Sequence, residues 1–362
     1  MNKSNLHNLI RVEHRKYSYL YLYNFAYYLF TMIVPSILFI LIGLNNKYFT
    51  TKFYHFISTS ILAIFNYIIL FSHLHKNNEL ECLYSMPIKR DDIFNSKFIL
   101  GILFYIIPSL ISYCSLFFIL LYFSPYTLIN QNQILNLFLL NFCYYLYAGL
   151  ITIFSMIMTS KIKASITISI IFILLDYLFY AAYTGLDLCF FEVNQSGVIN
   201  SHAGNGLFYL FKNLFIVLSP ISLYIESTVF ANFVICFILL IVFCISIYKL
   251  NLYTYKLRKP ENNQYIFSFN LFTRLFRIIL SILIGIFGAE LIILMYEFEQ
   301  NAQSKLSTGM VMSFLFTTIT FALLNLIDKN RYENKFYKFV DYVLAIIIPI
   351  AIIVMYSYYV GV

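Results

Sequence analysis

The sequence predicts an all-α integral membrane protein, and three observations carry that prediction. Hydrophobic residues make up 61% of the 362 and charged residues 11%, against about 45–50% and about 25% in a soluble globular chain. That leaves too little polar surface to cover a water-soluble particle of this size. The apolar residues gather in runs of about 20, the length a helix needs to cross the hydrocarbon core. Those runs hold no Lys or Arg, and the 24 basic residues fall almost entirely in every second connection. The same composition excludes a disordered, collagen-like or small disulfide-stapled chain. The excess of Tyr (33) and Phe (39) accompanies abundant Asn, Ile and Lys, so it reflects codon bias more than a ligand cage. The six cysteines include no CxxC pair and indicate neither a disulfide framework nor a zinc site.

Residues 1–19 are polar, yet Leu6, Leu9, Ile10 and Tyr17 recur at helical spacing, with Glu13 and His14 among them and Arg11, Arg15 and Lys16 beside them. This predicts an interfacial helix on the inner leaflet that leads into the first span. The following run, 20–44, is too long for a signal-peptide core and has no small-residue cleavage site, so it is expected to remain in the mature protein. The predicted spans are 20–44, 56–74, 98–123, 134–159, 164–183, 228–248, 278–296, 308–327 and 340–360, nine in all.

The apolar run 207–225 contains Lys212 and Pro220. Counted as a tenth span, it would move the basic residues around 249–277 and 329–338 to the outside. With nine spans and a cytoplasmic N-terminus, only Lys47, Lys52, Lys212 and Lys305 of the 24 basic residues lie outside, a strong positive-inside bias. The run is therefore expected to be an outward-facing re-entrant hairpin, with Pro220 as its break. The C-terminus is then outside. Pro35, Pro108 and Pro349 fall inside spans, where neighbouring helices can satisfy the carbonyls they free. The outside loop 184–206 gathers Gly185, Gly197, Gly204 and Gly206 and is expected to be mobile.

The connection between the second and third spans, 79–97, is the most informative segment. A short helix to about Tyr84 presents Leu80, Leu83 and Tyr84 as an apolar edge behind Glu79 and Ser85. Pro87 is expected to stop it, and Asp91 or Asp92 to cap a second helix that starts with Ile93, Phe94 and Lys97. A helix, a proline turn and a helix, with an apolar knob between charges, suit docking into a groove of a cytoplasmic partner.

This segment resembles the cytoplasmic loop of ABC-2 type transporter permeases of Gram-positive bacteria, in which Leu-x-Ser-Leu-Pro-[Ile/Val]-[Ser/Thr]-Arg-x-[Asp/Glu]-Ile is the usual form. Leu83, Ser85, Pro87, Ile88, Arg90, Asp92 and Ile93 match it, with Met86 in place of Leu and Lys89 in place of Ser or Thr. The resemblance implies that Glu79, Leu80, Leu83, Tyr84, Ser85, Pro87, Arg90, Asp92 and Ile93 form a coupling element that contacts an ATPase subunit. It also implies a six-span core with an outside hairpin between spans five and six, which matches the organisation of residues 1–250; residues 251–277 then form a cytoplasmic connector. A weaker likeness covers Tyr255-Lys256-Leu257-Arg258-Lys259-Pro260-Glu261, similar to a stretch after span six in some larger members. The three spans in 278–362 exceed the minimal core.

The two clear cases of an ionisable residue deep within a predicted span are Asp176 in the fifth and Glu290 in the seventh. Such groups are candidates for substrate contact or a protonation-linked step, or they are carboxylates bonded to Tyr or Asn of a neighbouring helix. Gly285 and Ala289 beside Glu290 have the spacing that lets another helix approach closely. His73 and His75 lack a third ligand nearby in sequence, so no metal is expected.

The chain has no GxxxxGK[ST], HExxH, GxSxG or GxGxxG and no potassium-type filter signature. The resemblance implies the function of a membrane permease subunit of an ABC-2 exporter in the cytoplasmic membrane. The chain would hold no cofactor of its own, with ATP and Mg on a separate ATPase, and a second permease chain would complete the path. An amphipathic substrate such as an antimicrobial peptide, an antibiotic or a lipid-like molecule fits, and nucleic acid does not. The alternative is a membrane enzyme of cell-envelope glycan or lipid synthesis. Asp187, Glu192 and His202 in loop 184–206 favour it, and the lack of any Arg or Lys there for a lipid pyrophosphate opposes it. A secondary transporter would show internal repeats, and none is evident.

Overall fold

The computed structural model describes residues 3–33, 48–76, 79–80, 83, 85, 88–122, 131–174, 230–258, 270–295, 302–327 and 335–360. The described residues are almost entirely helical. Helix α1 is Lys3–Tyr17, and α2, Tyr19–Tyr28, ends in a π-helical turn, Leu29–Ile33. Helix α3, Tyr48–Phe71, is extended by a 3₁₀ turn, Ser72–His75. Then follow α4 (Arg90–Tyr122), α5 (Gln131–Met158) and α6 (Ile162–Leu174). The last four are α7 (Phe230–Leu257), α8 (Asn270–Met295), α9 (Ala302–Ile327) and α10 (Lys335–Val360). The hairpin expected at 207–225, the loop 184–206, Asp176 and residues 34–44 of the first span lie outside the described residues.

Among the described residues, five helical stretches are long and apolar enough to cross a membrane: Ile57–His75, Arg90–Phe118, Phe138–Met158, Phe237–Leu257 and Ser307–Leu324. Two of them turn apolar side chains outward while turning polar ones inward. Helix α4 exposes Ile107, Leu110, Ile111 and Phe118 while burying Ser96, Lys97, Ser109 and Ser112. Helix α9 exposes Val311, Phe314, Leu315 and Ile319 while burying Ser313 and Thr317. Apolar surface on this scale needs a hydrocarbon environment, and polar groups turned inward find partners that lipid cannot offer.

The chain folds as two compact units, Met1–Ile173 with Tyr224–Ser268 and Leu174–Leu223 with Phe269–Val362. In the first, α3 packs on α5, α5 on α7, and α1 and α2 on α4. Tyr67 of α3 is fully buried between two glycines. A Cβ at Gly101 of α4 would lie 2.5 Å from its ring, and one at Gly149 of α5 would meet the ring's other edge. Asparagines tie the helices together. Asn66 donates to the Tyr145 hydroxyl at 3.0 Å, which donates to the Gly101 carbonyl at 3.0 Å. Asn251 donates to the Leu150 carbonyl at 2.8 Å, and Asn141 to the Tyr113 hydroxyl.

Pro108 sits inside α4. It has no N–H, so the carbonyl four residues earlier, that of Phe104, loses its helical partner. Asn24 of α2 supplies one: its amide donates to the Phe104 carbonyl at 2.7 Å, fully buried.

In the second unit, α8 lies close against α9. Gly285 faces Thr317 and the Ser313 carbonyl, and a Cβ at Gly288 would lie 2.5 Å from the Phe316 ring. Arg274 of α8 grips Asp341 of α10 with two hydrogen bonds, 2.9 and 2.7 Å. Helix α8 starts at Asn270, eight residues before the predicted span. Leu271, Arg274, Leu275 and Arg277 in this flank are good helix formers, and no Gly or Pro interrupts it, so the helix extends beyond the apolar run.

Candidate functional site

Around the connection between α3 and α4, four chain segments meet: α1, the connection itself, the first turns of α4 and the end of α7. Glu79, Leu80, Leu83 and Ser85 are helical, and the Leu80 amide donates to the Lys76 carbonyl at 2.9 Å. Helix α4 then starts at Arg90, so Asp91 and Asp92 occupy its first turn rather than its cap. They lie where a helix N-terminus favours negative charge. The helix is continuous from there into the apolar stretch.

The candidate residues separate by burial. Leu80 and Ile93 are buried within the chain and Asp92 is nearly so, which removes them from the edge available to a partner. Leu83, Glu79 and Arg90 are half-buried and Ser85 is exposed. Tyr84 and Pro87 lie outside the described residues, as does the side chain of Glu290, whose backbone belongs to α8. Glu79 pairs with Lys76 at 3.0 Å, and that hydrogen bond holds its carboxyl below its ordinary value despite partial desolvation, with Lys16 and Lys97 adding to it.

Two further contacts fix the start of α4 to its neighbours. On the α1 side, the Lys97 ammonium meets Glu13 at 3.2 Å, with both groups buried, and lies 5.7 Å from the centre of the Tyr17 ring. Burial, and then the Glu13 charge, push the Tyr17 phenol above its ordinary value, so it stays a neutral platform for the two cations beside it, Lys16 and Lys97. On the α7 side, Asp91 pairs with Lys256 at 2.9 Å and Tyr248 donates to Asn95 at 2.6 Å. Arg90 donates to the carbonyls of Lys256 (2.8 Å) and Arg258 (3.2 Å).

Arg258, just past the end of α7, is fully buried. Its guanidinium donates to the Leu74 carbonyl at 2.9 Å, to the Ile157 carbonyl at 2.9 Å and to the Met156 carbonyl. Helix ends leave such carbonyls without intrahelical partners and carry partial negative charge. The planar five-donor fork of Arg suits several of them at once. His75 bonds Ser165 at 3.0 Å, and His73 approaches the Tyr255 hydroxyl at 3.4 Å. Each histidine therefore serves a helix-end contact.

No protein-family model, curated protein or solved structure matches the chain.

Sequence reasoning missed Glu13, Lys97 and Arg258 as structural centres, because all three lie in basic flanks that read as topology signals. It also missed Asn24, Asn66, Asn141 and Asn251. An asparagine within an apolar run is itself a signal, since lipid cannot satisfy its amide.

Proposed function

We propose that the chain is the membrane-spanning permease subunit of an ATP-driven exporter of the ABC-2 type, powered in trans by a separate ATPase that docks on the 79–97 connection from the cytoplasmic side. The proposed topology has a cytoplasmic N-terminus, nine spans, a re-entrant hairpin at 207–225 and an outside C-terminus. A second permease chain completes the path, and the cargo is amphipathic: an antimicrobial peptide, an antibiotic or a lipid-like molecule.

One observation carries the proposal. The connection carries a half-buried Leu83 and an exposed Ser85 on a base tied to α1 by Lys97–Glu13 and to α7 by Arg90 and Asp91. A coupling element needs this combination, a contact surface that yields to a partner and a base that passes the displacement to the spans. A solvated linker would need neither. The resemblance of Leu83, Ser85, Pro87, Ile88, Arg90, Asp92 and Ile93 to the permease loop supports the same assignment.

Leu83→Asp tests it. A charge without a partner in the docking interface costs about 2–5 kcal/mol. The variant is expected to insert into the membrane normally and to lose its ATPase subunit on affinity purification, while Lys47→Asp keeps it. Full retention of the ATPase by Leu83→Asp would contradict the docking assignment.

A further inference from the structure

Arg90 and Arg258 share an acceptor chain. Arg90, the first residue of α4, donates to two carbonyls at the end of α7, one of them that of Arg258 itself. Arg258 then donates onward to Leu74 in the 3₁₀ turn after α3 and to Met156 and Ile157 in the last turn of α5. Two helix C-termini, those of α3 and α5, thus meet around the Arg258 guanidinium, and the end of α7 is held by that of Arg90. The ends of α3 and α5 each bring roughly half a negative charge, so the two repel one another unless a cation sits between them. Arg258 supplies that cation in full burial, where its donors have no water to fall back on.

We infer that Arg90 and Arg258 form a two-guanidinium relay that carries displacement of the 79–89 connection into the ends of α7, α5 and α3. Both are positioning residues. A push on the connection moves the first turn of α4. Arg90 pulls the last carbonyls of α7 with it, and Arg258, rigid at the end of that helix, shifts the ends of α5 and α3 as a set. Lys in place of Arg258 would keep the charge but not the planar fork, so the ends of α3 and α5 would be neutralised without being held in register. The relay rests on the proposed docking of an ATPase only for the origin of the push.

Hydrogen–deuterium exchange on the full-length chain in detergent tests the relay itself. Arg90→Ala, at a half-buried side chain, leaves the fold intact. It is expected to speed exchange severalfold in the last turn of α7 and also at 72–75 and 155–159, whose carbonyls Arg258 holds. Arg258→Lys is expected to speed the same segments, and the double variant to add nothing beyond Arg258→Lys alone. An Arg90→Ala effect confined to α7, with additive behaviour in the double variant, would overturn the relay. A second arm uses the chain purified with its ATPase and trapped with ATP and vanadate. Trapping is expected to alter exchange at 79–89 and at 155–159 in the wild type, and only at 79–89 in Arg258→Lys, with the ATPase still bound. A trapping response at 155–159 that survives Arg258→Lys would also overturn the relay. If no ATPase co-purifies with the wild type, the proposed function fails, and the first arm decides the relay alone.

Discussion

Lys97 and Glu13 meet 3.2 Å apart with their side chains almost fully covered. In such a setting the pair's own attraction barely exceeds the cost of desolvating it, but a single surviving charge has no compensation. Lys97→Met alone is therefore expected to destabilise the chain by about 3–5 kcal/mol. Glu13→Leu combined with Lys97→Met should recover most of that loss. Denaturant titration of the purified variants in detergent, followed by Tyr fluorescence, measures both. Equal losses in the single and double variants would show that packing of the Lys97 stem, not the charge pair, holds α1 to α4. Residue identity alone could not reveal this role. Lys97 reads as one more cation at the inner end of a span, and its partner lies 84 residues away in sequence, where no local pattern points to it. The same is true of Arg258, whose acceptors lie on helices distant in the chain. Glu79, by contrast, pairs with Lys76 one helical turn away, a pairing visible in the sequence.

At the scale of elements, apolar runs locate most helices well, because the length of hydrocarbon to be crossed dictates the length of each run. The centres of α3, α4, α5, α7, α8, α9 and α10 coincide with predicted spans. The ends of α4, α5, α8, α9 and α10 also fall within one residue of the predicted spans, but their starts lie three to eight residues earlier, because a helix start is set by its first turn rather than by where the lipid stops. Helix α4 starts at Arg90, stabilised by Asp91 and Asp92 in its first turn, well before the apolar run opens at residue 98. The break at Ser18 falls at the boundary between the polar residues 1–19 and the apolar run that follows, whereas the π turn at Leu29–Ile33 left no mark in the hydropathy pattern. Pro108 was legible, but its compensation was not: the freed Phe104 carbonyl is met by Asn24 from another helix. This pair makes a prediction at the same scale. Asn24→Leu leaves that carbonyl unpaired in a buried site and is expected to cost about 1–3 kcal/mol. Pro108→Ala restores the intrahelical donor, so the double variant should regain most of the loss. Thermal unfolding of the four species of this double-mutant cycle checks it. Additive losses would mean that Asn24 serves packing rather than the broken hydrogen bond.

For the whole molecule, the membrane class follows from composition and is matched by helices that bury Ser, Thr and Asn and expose Ile, Leu and Phe. The candidate site was legible as a segment, since Pro87 and the charges around it interrupt the apolar pattern between two spans. Its inner construction was not, since burial of Leu80 and Ile93 and the ties to α1 and α7 arise only once distant helices pack. The proposed function joins these parts: the chain would transport nothing alone and would be driven through the 79–97 connection by an ATPase bound in trans. The most direct test is affinity purification of the full-length chain from its native membrane, followed by an ATPase assay before and after the bound partners are stripped. The account predicts a stoichiometric nucleotide-binding subunit, vanadate-sensitive ATP hydrolysis in the complex and none in the stripped chain. ATP hydrolysis or chemical turnover by the stripped chain itself, or a chain that purifies without any nucleotide-binding partner, would contradict it.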